Sequence, residues 1–292
     1  MDLKRINDFV VKPLAHTSNR KKFKGSKLFN MWCPNIFALA KKNSGKTTTI
    51  INILKKMSGD LTKFIFIVST IDKDQSYRDL LDEIGDRSET FKSIVEEDED
   101  GIKTNVIKDF LKSMRHDDDD DILENENERG QIGGTQAPLN NFKKYQKMVG
   151  GEARVSESEK KLEQNTRWNK PYPEYIIVMD DLGSEMRDPA VTQLLKTNRH
   201  YNTMVIMSSQ ALTDLNKPAR SQLDYMLIFP KIPTDKLKDI KEDLNLSIDL
   251  DKFIDIYNIA TSEKYNFLYI GRTGPEEEYR KNFNEKFILK DE

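Results

Sequence analysis

The chain has 292 residues, 37% hydrophobic and 33% charged, with a net charge of −2. That balance excludes a surface that is basic throughout, so any nucleic-acid contact must be a local patch. The single cysteine, Cys33, excludes an internal disulfide and a cysteine-based metal cluster, and no apolar run reaches the roughly 18 residues that cross a bilayer. Met1-Asp-Leu-Lys-Arg5 lacks the apolar core of a signal peptide, so a soluble intracellular protein is expected.

Residues 1 to 28 are polar and carry the basic run Arg20-Lys-Lys-Phe-Lys-Gly-Ser-Lys27. They read as a lead-in to one domain over 29–292. Ile36 to Leu39 is a short apolar run that breaks into a polar turn, and Gly45-Lys46-Thr47 then opens helical spacing at Ile50, Ile51, Ile53, Leu54 and Met57. Strand, phosphate loop and helix in that order form a Walker A site. Backbone N–H groups of residues 41–47 would cradle the phosphates of ATP at the positive end of the helix, within a nucleotide-binding stretch of Ala40, Lys41, Lys42, Asn43, Ser44, Gly45, Lys46, Thr47 and Thr48. Lys46 would neutralise the β- and γ-phosphates, and the Thr47 hydroxyl would ligate Mg²⁺. The usual first glycine is replaced by Ala40, giving A-x4-G-K-T.

Lys63 to Ser69 is a continuous apolar run, the mark of a strand buried on both faces, and Asp74 to Ile84 reads as a helix closed by Gly85. Between acidic runs at Glu96–Asp100 and Asp117–Asp121, the apolar positions Ile102, Val106, Ile107, Phe110, Leu111 and Met114 predict an amphipathic helix. Residues 117–160 hold few apolar groups and read as a mobile acidic insertion. Strand patterns return at Tyr175–Met179, Met204–Ser209, Tyr225–Phe229 and Asn266–Ile270, with helices at Asp188–Asn202, Thr234–Leu244 and Ile248–Ala260 and a charged tail. The alternation argues a three-layer α/β fold around a mainly parallel sheet.

Tyr175-Ile-Ile-Val-Met179 followed by Asp180-Asp181 forms a Walker B pattern, with the acids at the carboxyl end of the strand. Asp180 would hold Mg²⁺, and Asp181 would orient or deprotonate the attacking water. Asp180-Asp-Leu-Gly183 also fits the D-x-x-G of GTPases, but Asn216-Lys-Pro-Ala219 has alanine where a guanine-reading acid is required. No arginine-bearing lid of a small-molecule kinase is visible. Gln210 ends its own strand, as the polar γ-phosphate sensor does in P-loop ATPases with an extra strand between the two Walker strands. That makes the fold class a RecA/ASCE-type P-loop NTPase.

The block Arg199-His-Tyr-Asn-Thr-Met-Val-Ile-Met-Ser-Ser-Gln210 follows Asp180-Asp-Leu-Gly-Ser-Glu185. With Ala40–Thr47, it resembles the genome-packaging ATPases of the FtsK–HerA superfamily, in the poxvirus-type branch found in large DNA viruses and virophages. Phe267–Ile270 with Tyr279–Phe283 resembles that branch's C-terminus. The resemblance implies a homo-oligomeric ring that pumps double-stranded DNA into a capsid and contacts a capsid or vertex protein, in the host-cell cytoplasm or a virus factory. It also implies a site completed by an arginine from the next subunit, with Arg199 the first candidate and Arg220 the second. A cellular HerA- or FtsK-like translocase, or a nucleotide-bound scaffold that does not hydrolyse ATP, are the alternatives.

Overall fold

The computed structural model describes residues 23–98, 100–119 and 171–289. Its centre is a nine-stranded sheet built from β1 (Asn35–Leu39), β2 (Lys63–Val68), β3 (Ser88–Phe91), β6 (Tyr175–Asp180), β7 (Thr203–Ser209), β8 (Tyr225–Ile228), β9 (Leu268–Gly271), β10 (Glu278–Lys281) and β11 (Glu285–Lys286). The strand order is β11-β10-β9-β8-β1-β7-β6-β2-β3. The six strands from β8 to β3 run parallel, and β9, β10 and β11 extend the sheet antiparallel at one edge. The helices are α1 (Lys46–Met57), α2 (Gln75–Ile84), α3 (Val106–Asp119), α4 (Pro189–Thr197), the short α5 (Lys217–Arg220), α6 (Thr234–Asp243) and α7 (Leu250–Ala260). A small hairpin of β4 (Val95–Glu97) and β5 (Lys103–Asn105) leads into α3.

The two-residue period of an extended chain sorts the core into two halves. Ile36, Ala38, Phe64, Phe66, Val68, Ile176 and Val178 pack with Ile50, Ile53, Leu54 and Met57 of α1 and with Tyr77, Leu80 and Ile84 of α2. Phe37, Leu39, Ile65, Ile67, Ile177 and Met179 face the other way, onto residues of α3, α4, α6 and α7. Because both faces are covered, the central strands carry unbroken apolar runs, and the layers are three. Asp74 caps α2 by accepting from Ser76 N at 2.9 Å, and Asp188 caps α4 by accepting from Ala190 N at 2.7 Å.

Several expectations are corrected. The amphipathic helix begins at Val106 rather than Ile102, which is exposed; Lys103–Asn105 pair with Val95–Glu97 instead. The charged tail contains β10 and β11, where Tyr279 is buried against Phe253 of α7. Residues 23–28 already touch the domain: Lys24 Nζ donates to Ser58 O at 2.7 Å, and Phe23 meets Trp32 edge to face. The earlier part of the basic run and the acidic insertion beyond Asp119 lie outside the described residues.

Candidate active site

The parity that builds the core also aims Asp180. Ile176, Val178 and Asp180 alternate onto the α1 face of the sheet, so the last residue of β6 turns its carboxylate toward the start of α1. There Lys46 Nζ lies 2.7 Å from Asp180 Oδ1 and 2.7 Å from Asp181 Oδ1. Asp180 is only 2% exposed and is held from two further sides. Tyr77 OH donates to Oδ2 at 2.9 Å, and Ser208 Oγ donates to Oδ1 from the neighbouring strand, where it pairs in register with Asp180. Asp181 has left the strand with φ 54°, a left-handed conformation that L residues adopt at a cost, and its carbonyl accepts from Ser69 Oγ at 3.0 Å. The turn after it is tied to the hairpin, since Glu185 accepts from Ser93 Oγ at 2.6 Å and Ile94 N at 2.9 Å.

On the other side of the cleft the loop from β1 turns into α1 through Gly45, at φ 91°. No side chain caps this helix and no acid stands in its first turn, so its leading N–H groups and positive dipole end are left for an anion. The Ser44 hydroxyl is buried without a partner, an orphan donor inside the loop. Ala40 is buried and continues the ladder, its N–H donating to Ser209 O at 3.0 Å. It does not have a positive φ, so the position has no conformational need for glycine. A cleft of about 340 Å³ is lined by Ala40 to Thr48, Asp74, Ser76, Asp181 and Gln210. That is within the size range of small-molecule sites.

The electrostatics are self-balanced. Burial pulls the Lys46 ammonium down, but the adjacent Asp180 and Asp181 carboxylates outweigh it, leaving its pKa raised. Burial, then the charge of Asp180, pushes the Tyr77 hydroxyl well above its ordinary value, so it stays a donor. A hydroxyl at Thr47 and a carboxylate at Asp180 are the hard oxygen ligands that Mg²⁺ takes, and an ammonium already sits against that carboxylate. The donor set therefore fits the ion.

The structure brings Lys46, Asp180, Asp181 and Gln210 together at one sheet edge and keeps two candidates away from it. Arg199 and Arg220 precede β7 and β8, at the opposite ends of strands parallel to β1. The Arg199 side chain is half exposed and its NH2 lies 2.6 Å from Asp224 Oδ1. Arg220 is 13% exposed, pairs with Asp243 and donates through Nε to Leu215 O at 2.9 Å. Sequence reasoning missed Tyr77, Ser208, Ser69, Asp74 and Ser76. Of these Ser208 was within reach, because a parallel neighbour strand ending in Ser-Ser-Gln210 must lay a serine beside Asp180.

Fold and site together define a P-loop ATPase of the additional-strand class, since β7 lies between the P-loop strand β1 and the acid-bearing strand β6. Residues 150–274 match the family model of the poxvirus A32 protein, a segment shorter than half the chain that holds the Walker B acids and Gln210 but not the P-loop. No curated protein matches the chain. Among solved structures, the chain is similar to the genome packaging NTPase B204 of Sulfolobus turreted icosahedral virus 2 in complex with ATP-γ-S, at 16% identity and a TM-score of 0.45, over 89% of this chain and 100% of that one. It is also similar to the cytoplasmic domain of the type VII secretion ATPase EccC of Thermomonospora curvata, at 14% identity and a TM-score of 0.43, over 83% of this chain and 24% of that one.

Proposed function

We propose that this chain is the ATP-driven motor that packages double-stranded viral DNA into a capsid. The observation that carries the reading is the meeting of Lys46 with Asp180 and Asp181 at 2.7 Å beneath an uncapped helix N-terminus, with Gln210 on the wall of the same cleft. A triphosphate laid on Ala40–Thr48 competes for the Lys46 ammonium. Once Lys46 turns to the phosphate oxygens, Asp180 Oδ1 is released and, with Thr47, would hold Mg²⁺. When bound, that ion supplies charge neutralisation at the β- and γ-phosphate oxygens. Asp181, beyond the end of the strand and a third exposed, faces the cleft where a water can approach the γ-phosphate, and it accepts that water's proton. Gln210 orients the same water.

Arg199 is assigned to the next subunit's site in a ring. It points away from its own P-loop edge and is half exposed, whereas Arg220 is almost buried and doubly engaged. A trans arginine of this kind contributes about 10³ to 10⁵ in rate in P-loop enzymes. Duplex DNA would be gripped through its phosphates without reading sequence. A capsid vertex would receive the ring in the cytoplasm or virus factory of the infected cell. The test is ATP turnover with and without duplex DNA: turnover should rise with DNA, and Lys46→Ala should abolish it. Turnover indifferent to DNA at every salt concentration would sink the motor reading.

A further inference from the structure

The nucleoside half of the site is not defined by any residue considered so far. Tyr265, in the turn between α7 and β9, is 53% exposed and has φ 73°, a conformation uncommon for a bulky side chain. Its ring lies against the phosphate loop: a Cβ placed on Gly45 would be 3.0 Å from Tyr265 Cδ1. The turn is stapled rather than loose. Asn266 Nδ2 donates to Glu263 Oε2 at 3.0 Å, Asn282 Nδ2 donates to Asn266 Oδ1 at 3.0 Å, and Phe267 N donates to Asn282 Oδ1 at 3.1 Å. Phe267, the next residue but one, is buried against Phe229 and Phe283. The hairpin turn between β10 and β11 thus holds Tyr265 out over Gly45. Lys264 Nζ lies over the ring, 4.6 Å from its centroid, so one π face already holds a cation.

Core packing does not account for an aromatic ring held half in water on a strained backbone. We infer that Tyr265 is the stacking platform for the purine base of the nucleotide whose phosphates occupy the loop beginning at Ala40. The inference rests on the ATP-binding reading above and adds the base subsite to it. Stacking on a ring face is tolerant of base identity, so the platform selects nucleotides over bare polyphosphate and does not separate adenine from guanine.

Calorimetric titration of the full chain with ATP, GTP and inorganic tripolyphosphate tests this. Tyr265→Ala and Tyr265→Leu should each raise the Kd for ATP and GTP about tenfold and leave tripolyphosphate unchanged, while Tyr265→Phe binds as the parent does. An alanine variant within twofold of the parent for ATP overturns the proposal. So does an equal loss for ATP and tripolyphosphate, which would make the ring a brace for Gly45 only. Lys46→Ala, run in parallel, should weaken ATP and tripolyphosphate together. Unchanged binding of both in that variant would instead bring down the phosphate-loop reading, and the base subsite with it.

Discussion

Tyr77 OH donates to Asp180 Oδ2 at 2.9 Å, joining helix α2 to the acid that ends β6. Both groups are buried, Tyr77 completely, and the ring also meets Phe66 edge to face at 6.0 Å. The bond gives a buried carboxylate oxygen a donor that burial and the charge of Asp180 keep protonated. Hydrogen bonds to charged groups are worth about 1.5–3 kcal/mol, and the unpaired partner bears most of the loss. Tyr77→Phe should therefore lower unfolding free energy by about 2 kcal/mol in a urea titration. In an Asp180→Ala background the same change should cost much less. Equal costs in both backgrounds would mean that the hydroxyl does not act through Asp180.

Lys46 makes stability depend on alkaline pH in a defined direction. Its folded pKa is raised above the ordinary 10.5, against the pull of burial, by the two carboxylates. The ammonium thus stabilises the fold fully below the unfolded value, and that contribution is lost as pH rises through the higher folded value. Lys46→Met removes it and leaves the acids without their cation, at a cost of about 3 kcal/mol near neutral pH. The gap between parent and variant should stay flat from neutral pH to about 10 and close above that. A gap that widened above pH 10 would show the opposite sign and refute the pairing.

The site could be read in the sequence wherever chemistry depends on a local run. A-x4-G-K-T announced its own loop, and the apolar strand before Asp180-Asp181 announced where the acids emerge. Even the middle position of β7 followed from Gln210 at its end. What stayed illegible depends on meetings across long separations. Tyr77 has helical spacing that suits plain core packing, and only the folded sheet puts it under Asp180, 103 residues away. The strands β3, β4, β5, β10 and β11 were missed because they are short, polar elements at the margins of the fold that bury one face or none, so neither an apolar run nor an alternation marks them. Ile102 misled because it continues the helical spacing of α3 while its own backbone belongs to the hairpin loop.

Asp181 and Gln210 line the cleft from outside the loop proposed to seat the phosphates. Asp181→Asn should bind ATP like the parent, while single-turnover hydrolysis falls by about 10² to 10⁴, the span of a general base. Gln210→Ala should also spare binding and slow the chemical step, by about 10². Loss of ATP affinity to the same degree as loss of rate would place either residue in binding instead.

Ala40 and Gly45 bracket the phosphate loop, and their backbones make opposite demands. Ala40 is buried in the β1–β7 ladder at a negative φ, so Ala40→Gly, which restores the commoner pattern, gains nothing and adds chain entropy to the unfolded state. It should destabilise by about 0.5–1 kcal/mol and leave ATP turnover as it is. Gly45 stands at φ 91°, and a methyl there would meet the Tyr265 ring at 3.0 Å. Gly45→Ala pays about 1–2 kcal/mol for the left-handed backbone alone and must also displace the ring or the loop. Turnover should fall sharply in that variant, and ATP affinity should fall further than tripolyphosphate affinity, because the displaced ring serves only the base. If Ala40→Gly impaired turnover as severely as Gly45→Ala, the loop would be responding to added flexibility, and the separate demands argued for its two ends would be wrong.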